Sequence, residues 1–272
     1  LLGKTATPEF GAGGNTTVNE VHGYTRNAFD PDRACGGSSG GSGVALACGM
    51  MPLCTGSDSG GSLRKPATFS GVSAIRPTTG LVPSDKRGVG FTNLSVQGPM
   101  ARTAEDCALM LSIMAGNDAA DPLSFNVDGA DYRTVPEIDL TQLRVAISVD
   151  FGWAPVEHGI RDTFEKRLAR FQSIFKSCAR FDPNIENALD VFWVLRGVQF
   201  LASHLARYRQ HRDQIGPNIV ANVEAGLKMT SEEIAWAHRE HTRLYRQFQT
   251  MFADYDLLNT PGQPITPTPV EQ

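Results

Sequence analysis

The sequence predicts an α/β fold with a mixed central β-sheet, flanking helices and a helical subregion in the C-terminal half. Residues 1 to about 100 hold short apolar runs, such as 72–75, that Gly and Pro interrupt, which is typical of buried strands and tight turns. From residue 160 to 258, apolar residues recur at helical spacing instead. Because a chain of 272 residues can bury one large core, these regions are expected to form a single domain over residues 1–272.

Individual elements can be predicted from the residues at their ends. Thr103 is a suitable N-cap with Asp106 three residues later, and Gly116 is a suitable stop for the helix that follows. The buried stripe of this helix is expected to comprise four residues, namely Leu109, Met110, Ile113 and Met114. Five of the seven residues 143–149 are apolar, and this segment is predicted to form a strand.

The C-terminal half is predicted to be mainly helical. One helix should carry four apolar residues on a single face: Phe164, Leu168, Phe171 and Phe175. A later helix should begin with a capping box between Thr230 and Glu233 and bury a stripe formed by Ile234, Ala237, His241, Leu244, Phe248 and Met251. The segment 260–269 contains four prolines and is therefore not expected to form a regular helix.

The composition argues against several classes of function. With 25 basic and 29 acidic residues the net charge is −4, so the clustered positive charge of a nucleic-acid-binding surface is not expected. The five cysteines form no CxxC pair, which argues against a disulfide framework or a zinc site and favours a reducing, cytoplasmic compartment. No run of about 18 apolar residues occurs, so the sequence predicts no membrane span.

Two clusters rich in Gly and Ser, residues 35–43 and 55–64, contain the candidate chemistry. Glycines permit sharp turns with positive φ, and consecutive N–H groups at such turns can converge on an anion. A serine beside such a turn would have an oxyanion hole next to it. Residues 44–48 are predicted to form a short helix that brings the clusters together. A flexible linker would lack these apolar residues, whereas structural turns or phosphate binding stay open as alternatives.

The two clusters resemble the amidase signature family. That family carries Gly-Gly-Ser-Ser-Gly-Gly-Ser and then Gly-x-Asp-x-Gly-Gly-Ser-x-Arg-x-Pro-Ala, which correspond to residues 36–42 and 56–67. The two key serines are 62 − 38 = 24 residues apart, which is the spacing of the family. Flanking matches, such as 76–78, extend the resemblance over residues 1–120, with a weaker match at 255–261. The resemblance implies an amidase-signature fold whose signature core is 1–120.

The resemblance also implies roles for individual residues. Ser62 would be the nucleophile that becomes acylated, and Ser38, on a cis peptide bond, would relay a proton between Ser62 and a lysine. The oxyanion hole would consist of four backbone N–H groups, those of Ser59, Gly60, Gly61 and Ser62. Asp58 and Arg64 would hold this turn in place without contacting the substrate. The resemblance implies neither a metal ion nor an organic cofactor.

The lysine of the implied Ser-Ser-Lys triad is not found in this chain. In the family it precedes the Gly-Lys-Thr element, which is residues 3–5 here, so it is expected before Leu1. Lys4 belongs to the Gly-Lys-Thr element and does not replace it. The final segments of the family are also expected to lie beyond residue 272. The amidase-signature domain is therefore expected to be incomplete at both ends.

The implied function is hydrolysis of a small-molecule amide through a seryl acyl-enzyme, and a homo-oligomer is compatible with the sequence. One alternative is the glutamine-hydrolysing component of an aminoacyl-tRNA amidotransferase, and another is a non-catalytic relative that lacks the lysine. A third is an α/β-hydrolase that uses Ser38, because residues 36–40 fit G-x-S-x-G, although 29–35 are not the hydrophobic strand that this elbow needs. A P-loop at 3–5 and a metal-binding pair, His238 and His241, are weaker alternatives.

Overall fold

The structure, a computed structural model, describes residues 2–85 and 87–271. The chain divides into two compact units: unit 1 comprises Leu1–Pro136 and Pro267–Gln272, and unit 2 comprises Glu137–Thr266. Helices and strands occur in both, which agrees with the predicted α/β class. The single domain over residues 1–272 stays a prediction. Within the described residues, no helix combines the length and apolar character needed to cross a membrane.

The described residues form seven α-helices and eight β-strands. The α-helices of the described residues are α1 (Gly40–Ala47), α2 (Arg64–Ser70), α3 (Ala104–Met114), α4 (His158–Phe171), α5 (Ala188–His211), α6 (Pro217–Leu227) and α7 (Ser231–Asp254). The strands are β1 (Thr17–Asn19), β2 (Gly23–Thr25), β3 (Leu53–Asp58), β4 (Ser73–Ala74), β5 (Val96–Ala101), β6 (Arg144–Ile147), β7 (Ser177–Arg180) and β8 (Leu257–Asn259).

An antiparallel sheet of order β3-β5-β4 forms the centre of unit 1. The register of β3 against β5 pairs Leu53 with Ala101 at one end and Asp58 with Val96 at the other. Helices α1 and α2 contact each other, and α1 also contacts β3 and β5. Fully buried Leu46, Leu63 and Met100, one each from α1, the turn before α2, and β5, form the core between them. This confirms the short helix that residues 44–48 predict, and extends it back to Gly40.

The N-terminal hairpin β1–β2 and the C-terminal segment 267–271 complete unit 1. Thr17 pairs with Thr25 across the hairpin. The N–H of Ala34 donates to the carbonyl of Thr268 at 2.8 Å, and an isolated bridge joins Arg33 to Pro269. Residues 29–35, which lead into the first Gly-Ser cluster, therefore form a loop with isolated β-bridges. They do not form the strand that an α/β-hydrolase elbow needs.

Helix α3 begins as predicted, but its buried face differs from the predicted stripe. The Thr103 hydroxyl accepts the N–H of Asp106 at 3.1 Å, and the helix ends two residues before Gly116. The buried residues are Cys107, Ala108 and Leu111, whereas Ile113 is 76% exposed and Leu109 is 38% exposed. The predicted stripe was wrong at Leu109 and Ile113, whereas Met110 and Met114 are half-buried and Met114 packs on the cluster that contains Leu111. The helix contacts β5, and its buried face includes the small residues Cys107 and Ala108, which bulk hydrophobicity does not single out.

A parallel sheet of order β7-β6-β8 forms the centre of unit 2. The predicted strand 143–149 is confirmed as β6, whose Val145 and Ile147 pack on Leu168 of α4. The predicted apolar face of α4 is confirmed over the helix, which ends at Phe171. Phe175 lies beyond the helix but still packs edge-to-face on Phe171, with ring centroids 6.2 Å apart.

Helices α5, α6 and α7 form the helical part of unit 2. The capping box at Thr230 and Glu233 is present in both directions, and all six residues of the predicted α7 stripe are buried or half-buried. Helices α5 and α6 approach closely at Gly197 and Gly226, where a Cβ on Gly226 would lie 2.9 Å from the Gly197 carbonyl. The proline-rich segment 260–269 contains no helix, as predicted.

Candidate active site

A short turn between β3 and α2 presents Ser62. The strand ends at Asp58 and the helix begins at Arg64, so Ser62 lies on the intervening turn. The carboxylate of Asp58 is fully buried and accepts the N–H groups of Gly61 at 2.9 Å and of Leu63 at 3.3 Å. These two N–H groups lie on either side of Ser62. The buried carboxylate therefore fixes the backbone that carries the candidate nucleophile.

Two guanidinium groups neutralise the buried Asp58. Arg64 donates from Nε to Oδ2 and from Nη2 to Oδ1, each at 2.9 Å, which is bidentate geometry. The Nε of Arg76 lies 3.5 Å from Oδ1 of the same carboxylate. Burial by itself would raise the pKa of Asp58, but the hydrogen bonds and charge of Arg64 outweigh it and hold that pKa below its ordinary value. Asp58 is therefore ionised at neutral pH.

The predicted oxyanion-hole residues follow Asp58 directly. Gly61 has a φ of 105°, a backbone conformation that favours glycine, and a Cβ there would meet no atom within 4 Å. The N–H of Gly61 donates to Asp58. Within the described residues, the N–H groups of Ser59, Gly60 and Ser62 have no hydrogen-bond acceptor. Ser59 and Ser62 are half-buried and Gly60 is exposed, so the turn is accessible from solvent.

The first Gly-Ser cluster approaches this turn through Gly36. Gly36 has a φ of 80°, and a Cβ on it would lie 2.9 Å from the backbone nitrogen of Pro66 in α2. Its carbonyl accepts the hydroxyl of the buried Thr17 at 2.8 Å. The next peptide bond, between Gly37 and Ser38, is cis, in agreement with what the resemblance implies. Ser38 itself is 4% exposed.

Ser39 joins the two clusters. Its backbone N–H donates to the carbonyl of Ser62 at 3.0 Å, and its hydroxyl accepts the N–H of Ser57 at 3.1 Å. Ser39 is also the N-cap residue of α1 and is 4% exposed. Because Ser38 precedes Ser39, this bond holds the segment that contains Ser38 beside the backbone of Ser62, and the roles of the two serines stay predictions.

A cleft of about 1150 Å³ opens within unit 1 beside Ser38 and Ser39. Its lining includes the polar residues Thr55 and Ser57 of β3. Its other walls include apolar residues of α1, the loop before β3, and α3, namely Val44, Ala45, Met50, Met51, Leu53 and Met110. A cleft that combines a few polar groups with apolar walls is typical of small-molecule sites.

Two lysines lie near the predicted serines. Lys4 lines the cleft. The Nζ of Lys65 donates to Oδ1 of Asn15 at 2.9 Å and to the carbonyl of Gly14 at 3.4 Å. Burial lowers the pKa of Lys65, against the opposing effect of the Asp58 charge. The lysine that the resemblance implies before Leu1 lies outside the described residues.

Sequence reasoning gave no role to Arg76 or Thr17, both of which contact this site. Arg76 belongs to a segment that matched the family, but its role depends on Asp58, which is 18 residues away. His238 and His241 of α7 belong to no group of three or more His, Cys, Asp or Glu that could hold a metal ion in residues 2–85 and 87–271. Burial and the neighbouring His238 lower the pKa of His241.

A family model described as Amidase matches residues 1–272. The chain belongs to the amidase family. The solved structure of a bacterial aryl acylamidase of the amidase signature family superimposes with a TM-score of 0.85 at 25% identity, covering 97% of this chain and 56% of that chain. This confirms the predicted amidase-signature fold.

Curated relatives of the amidase chain include two kinds of protein. An acylamidase of Rhodococcus erythropolis is 33% identical over 274 residues, covering 100% of this chain and 57% of the relative. A glutamyl-tRNA(Gln) amidotransferase component from Caldanaerobacter subterraneus subsp. tengcongensis is 34% identical over 209 residues, covering 76% of this chain and 42% of the relative. The amidase chain spans about half the length of these relatives.

Proposed function

We propose that this amidase chain supplies the nucleophile side of a hydrolase that cleaves a small-molecule amide through a seryl acyl-enzyme. The observation that carries the proposal is the Asp58 brace, whose two bonds to the N–H groups of Gly61 and Leu63 fix Ser62 on an accessible turn. Family membership and the similarity to acylamidases support the reaction type.

In the proposed acylation step, Ser62 Oγ attacks the amide carbonyl and its proton leaves toward Ser38. The carbonyl π electrons move onto oxygen, where the N–H groups of Ser59, Gly60 and Ser62 stabilise the negative charge. The N–H of Gly61, the fourth group of the predicted oxyanion hole, donates to Asp58 instead. Collapse of this intermediate breaks the C–N bond as the amine takes up a proton. Water then hydrolyses the ester on Ser62, releasing the acid and restoring the serine.

Ser38 is proposed to relay the proton between Ser62 and a lysine. The bond from the Ser39 N–H to the Ser62 carbonyl supports this pairing, because it holds the two segments in register. A lysine can act as the base only in its neutral form, which requires a pKa lowered by burial or by nearby positive charge. Neither Lys4 nor Lys65 of the described residues is assigned this role.

An activated phosphonate tests the proposal, since it reacts with an activated serine and leaves a mass tag. In the complete natural polypeptide, the tag should appear on the peptide that contains Ser62, and Ser62→Ala should abolish it. Ser38→Ala should slow tagging by about 100-fold or more, the size of a lost general acid–base contribution. Ser203→Ala, an exposed position in α5, is the control and should react at the parental rate. Parental tagging or amide hydrolysis by Ser62→Ala would refute the assignment.

The amidotransferase relatives favour a second candidate, a glutamine-hydrolysing protein that works in a complex. Release of ammonia from glutamine that depends on co-purifying partners would support it over a free-standing amidase. A tag on Ser38 instead of Ser62 would indicate α/β-hydrolase chemistry. Absence of any tag would indicate a non-catalytic relative. A cytoplasmic location and a homo-oligomeric state remain proposals that fractionation and light scattering can test.

A further inference from the structure

Four charged side chains lie around the turn that carries Ser62, namely Asp58, Arg64, Lys65 and Arg76, and they do not balance. Asp58 contributes one negative charge, while Arg64 and Arg76 each contribute a positive one. Arg64 already occupies both carboxylate oxygens at 2.9 Å. No other carboxylate of the described residues lies within 4 Å of Arg76, so two guanidinium charges face one carboxylate charge. Lys65, on which the Asp58 charge also acts, adds a further positive group to the same turn.

The position of Arg76 also suggests more than structural support. Its side chain is 28% exposed, and its Nη2 donates to the carbonyl of Leu94 at 3.1 Å, just before β5. Burial lowers the pKa of Arg76, and the charge of Arg64 adds to this, but a guanidinium stays protonated at neutral pH. Two guanidinium groups beside one buried carboxylate repel each other, and the second one lowers the stability of the fold unless its charge is used elsewhere. A negative charge that develops nearby during the reaction would use it.

The carboxylate oxygen that Arg76 approaches is the one that accepts the Gly61 N–H. Oδ1 of Asp58 receives Gly61 N–H at 2.9 Å and Arg64 Nη2 at 2.9 Å, with Arg76 Nε at 3.5 Å. Each positive group beside Oδ1 reduces the negative potential that Asp58 exerts on the turn. An oxyanion bound at the other N–H groups of this turn would otherwise be repelled by Asp58.

We propose that Arg76 is a positioning residue for acylation, which acts through Asp58 to keep the Ser62 turn net positive and so favours the oxyanion. This inference rests on the proposed function of Ser62. The excess charge on Arg76 matters most when negative charge develops on the substrate carbonyl. It should therefore affect the transition state more than the bound substrate.

The test compares Arg76→Gln with Arg76→Lys in the complete natural polypeptide. The readouts are kcat and KM on an amide substrate, and the affinities of a trifluoromethyl ketone and its methyl ketone analogue. The fluorinated ketone takes up Ser62 Oγ to form a tetrahedral oxyanion, whereas the methyl ketone reports ground-state binding. Arg76→Gln should lower kcat and the fluorinated-ketone affinity about 10- to 100-fold, the range for losing one charge near an oxyanion. KM and methyl-ketone affinity should change little, and Arg76→Lys should recover most of the loss.

Arg87→Gln is the matched control. The Nη1 of Arg87 donates to the carbonyls of Thr92 and Ser95, next to Leu94, but its ion pair is with Asp121 and not with Asp58. The Arg87→Gln variant should have a lower Tm but an unchanged ratio of the fluorinated-ketone affinity to the methyl-ketone affinity. Parental kcat in Arg76→Gln, or equal losses in Arg76→Gln and Arg76→Lys that follow Tm, would overturn the role of Arg76. Failure of the parental protein to form the adduct at Ser62 would overturn both this inference and the proposed function.

Discussion

The backbone N–H of Ser39 donates to the carbonyl oxygen of Ser62 at 3.0 Å. Ser39 is the N-cap residue of α1, and Ser62 lies two residues before α2. One backbone bond therefore ties the starts of the two helices that pack against each other in unit 1. The candidate relay serine and the candidate nucleophile belong to segments that are held together independently of their own side chains.

Asp58→Asn should destabilise the amidase and remove part of its acid sensitivity. The pKa of Asp58 is lowered in the folded state, so its contribution to stability is present above the unfolded pKa of about 3.9 and is lost as pH falls through the folded pKa. At neutral pH the variant should lose about 1–3 kcal/mol in urea unfolding, because a buried acceptor of several donors is replaced. The difference from the parent should shrink below pH 4.

The control for this prediction is Asp162→Asn, an exposed position on α4. It should leave the pH dependence of the free energy of unfolding as it is in the parent. An Asp58→Asn variant with the parental pH profile between pH 3 and 7 would contradict the assigned role of the buried carboxylate.

Gly61→Ala and Gly49→Ala should separate backbone strain from loss of function. Both glycines have positive φ, 105° and 69°, and at both a Cβ would meet no atom within 4 Å. Each alanine should therefore cost about 1–2 kcal/mol of stability through the backbone alone. Phosphonate tagging of Ser62 should fall sharply only in Gly61→Ala, since the alanine would redirect the N–H groups of the Ser62 turn. Equal tagging rates in the two variants would show that the conformation of Gly61 is not needed for the site.

Gly41→Ala should disturb the packing beneath the site, whereas Gly159→Ala should not. A Cβ on Gly41 would lie 2.5 Å from the backbone nitrogen and oxygen of Ala6, so residues 5–7 would have to move. A loss of about 1–3 kcal/mol is expected for such overpacking. Gly159 lies in α4 with open space around it, and alanine there should stabilise by up to about 1 kcal/mol. Thermal unfolding should show a lower Tm for Gly41→Ala and an equal or higher Tm for Gly159→Ala. A Gly41→Ala protein as stable as the parent would contradict the close approach of Gly41 to Ala6.

The helix ends and the serine clusters were predictable because their signals are local. Thr103 and Thr230 cap helices through hydrogen bonds to residues three positions away, which a sequence displays directly. The buried face of α3 was not predictable in the same way. It depends on how closely Cys107 and Ala108 let the helix approach β5, which is a property of the packed pair and not of the helix.

From the sequence alone came the α/β class, which its apolar patterning predicts, and the amidase family, which residues 36–42 and 56–67 resemble. The sequence also located the two Gly-Ser turns, because closely spaced glycines and serines are a local signal of turns. The tertiary structure decided what surrounds those serines. Asp58 meets Arg76, and Ser39 meets Ser62, only after β3, β5 and the two helices have packed. The net charge around a buried carboxylate depends on which side chains from elsewhere in the sequence pack against it. No local sequence pattern encodes the distance between the Asp58 carboxylate and the Arg76 guanidinium.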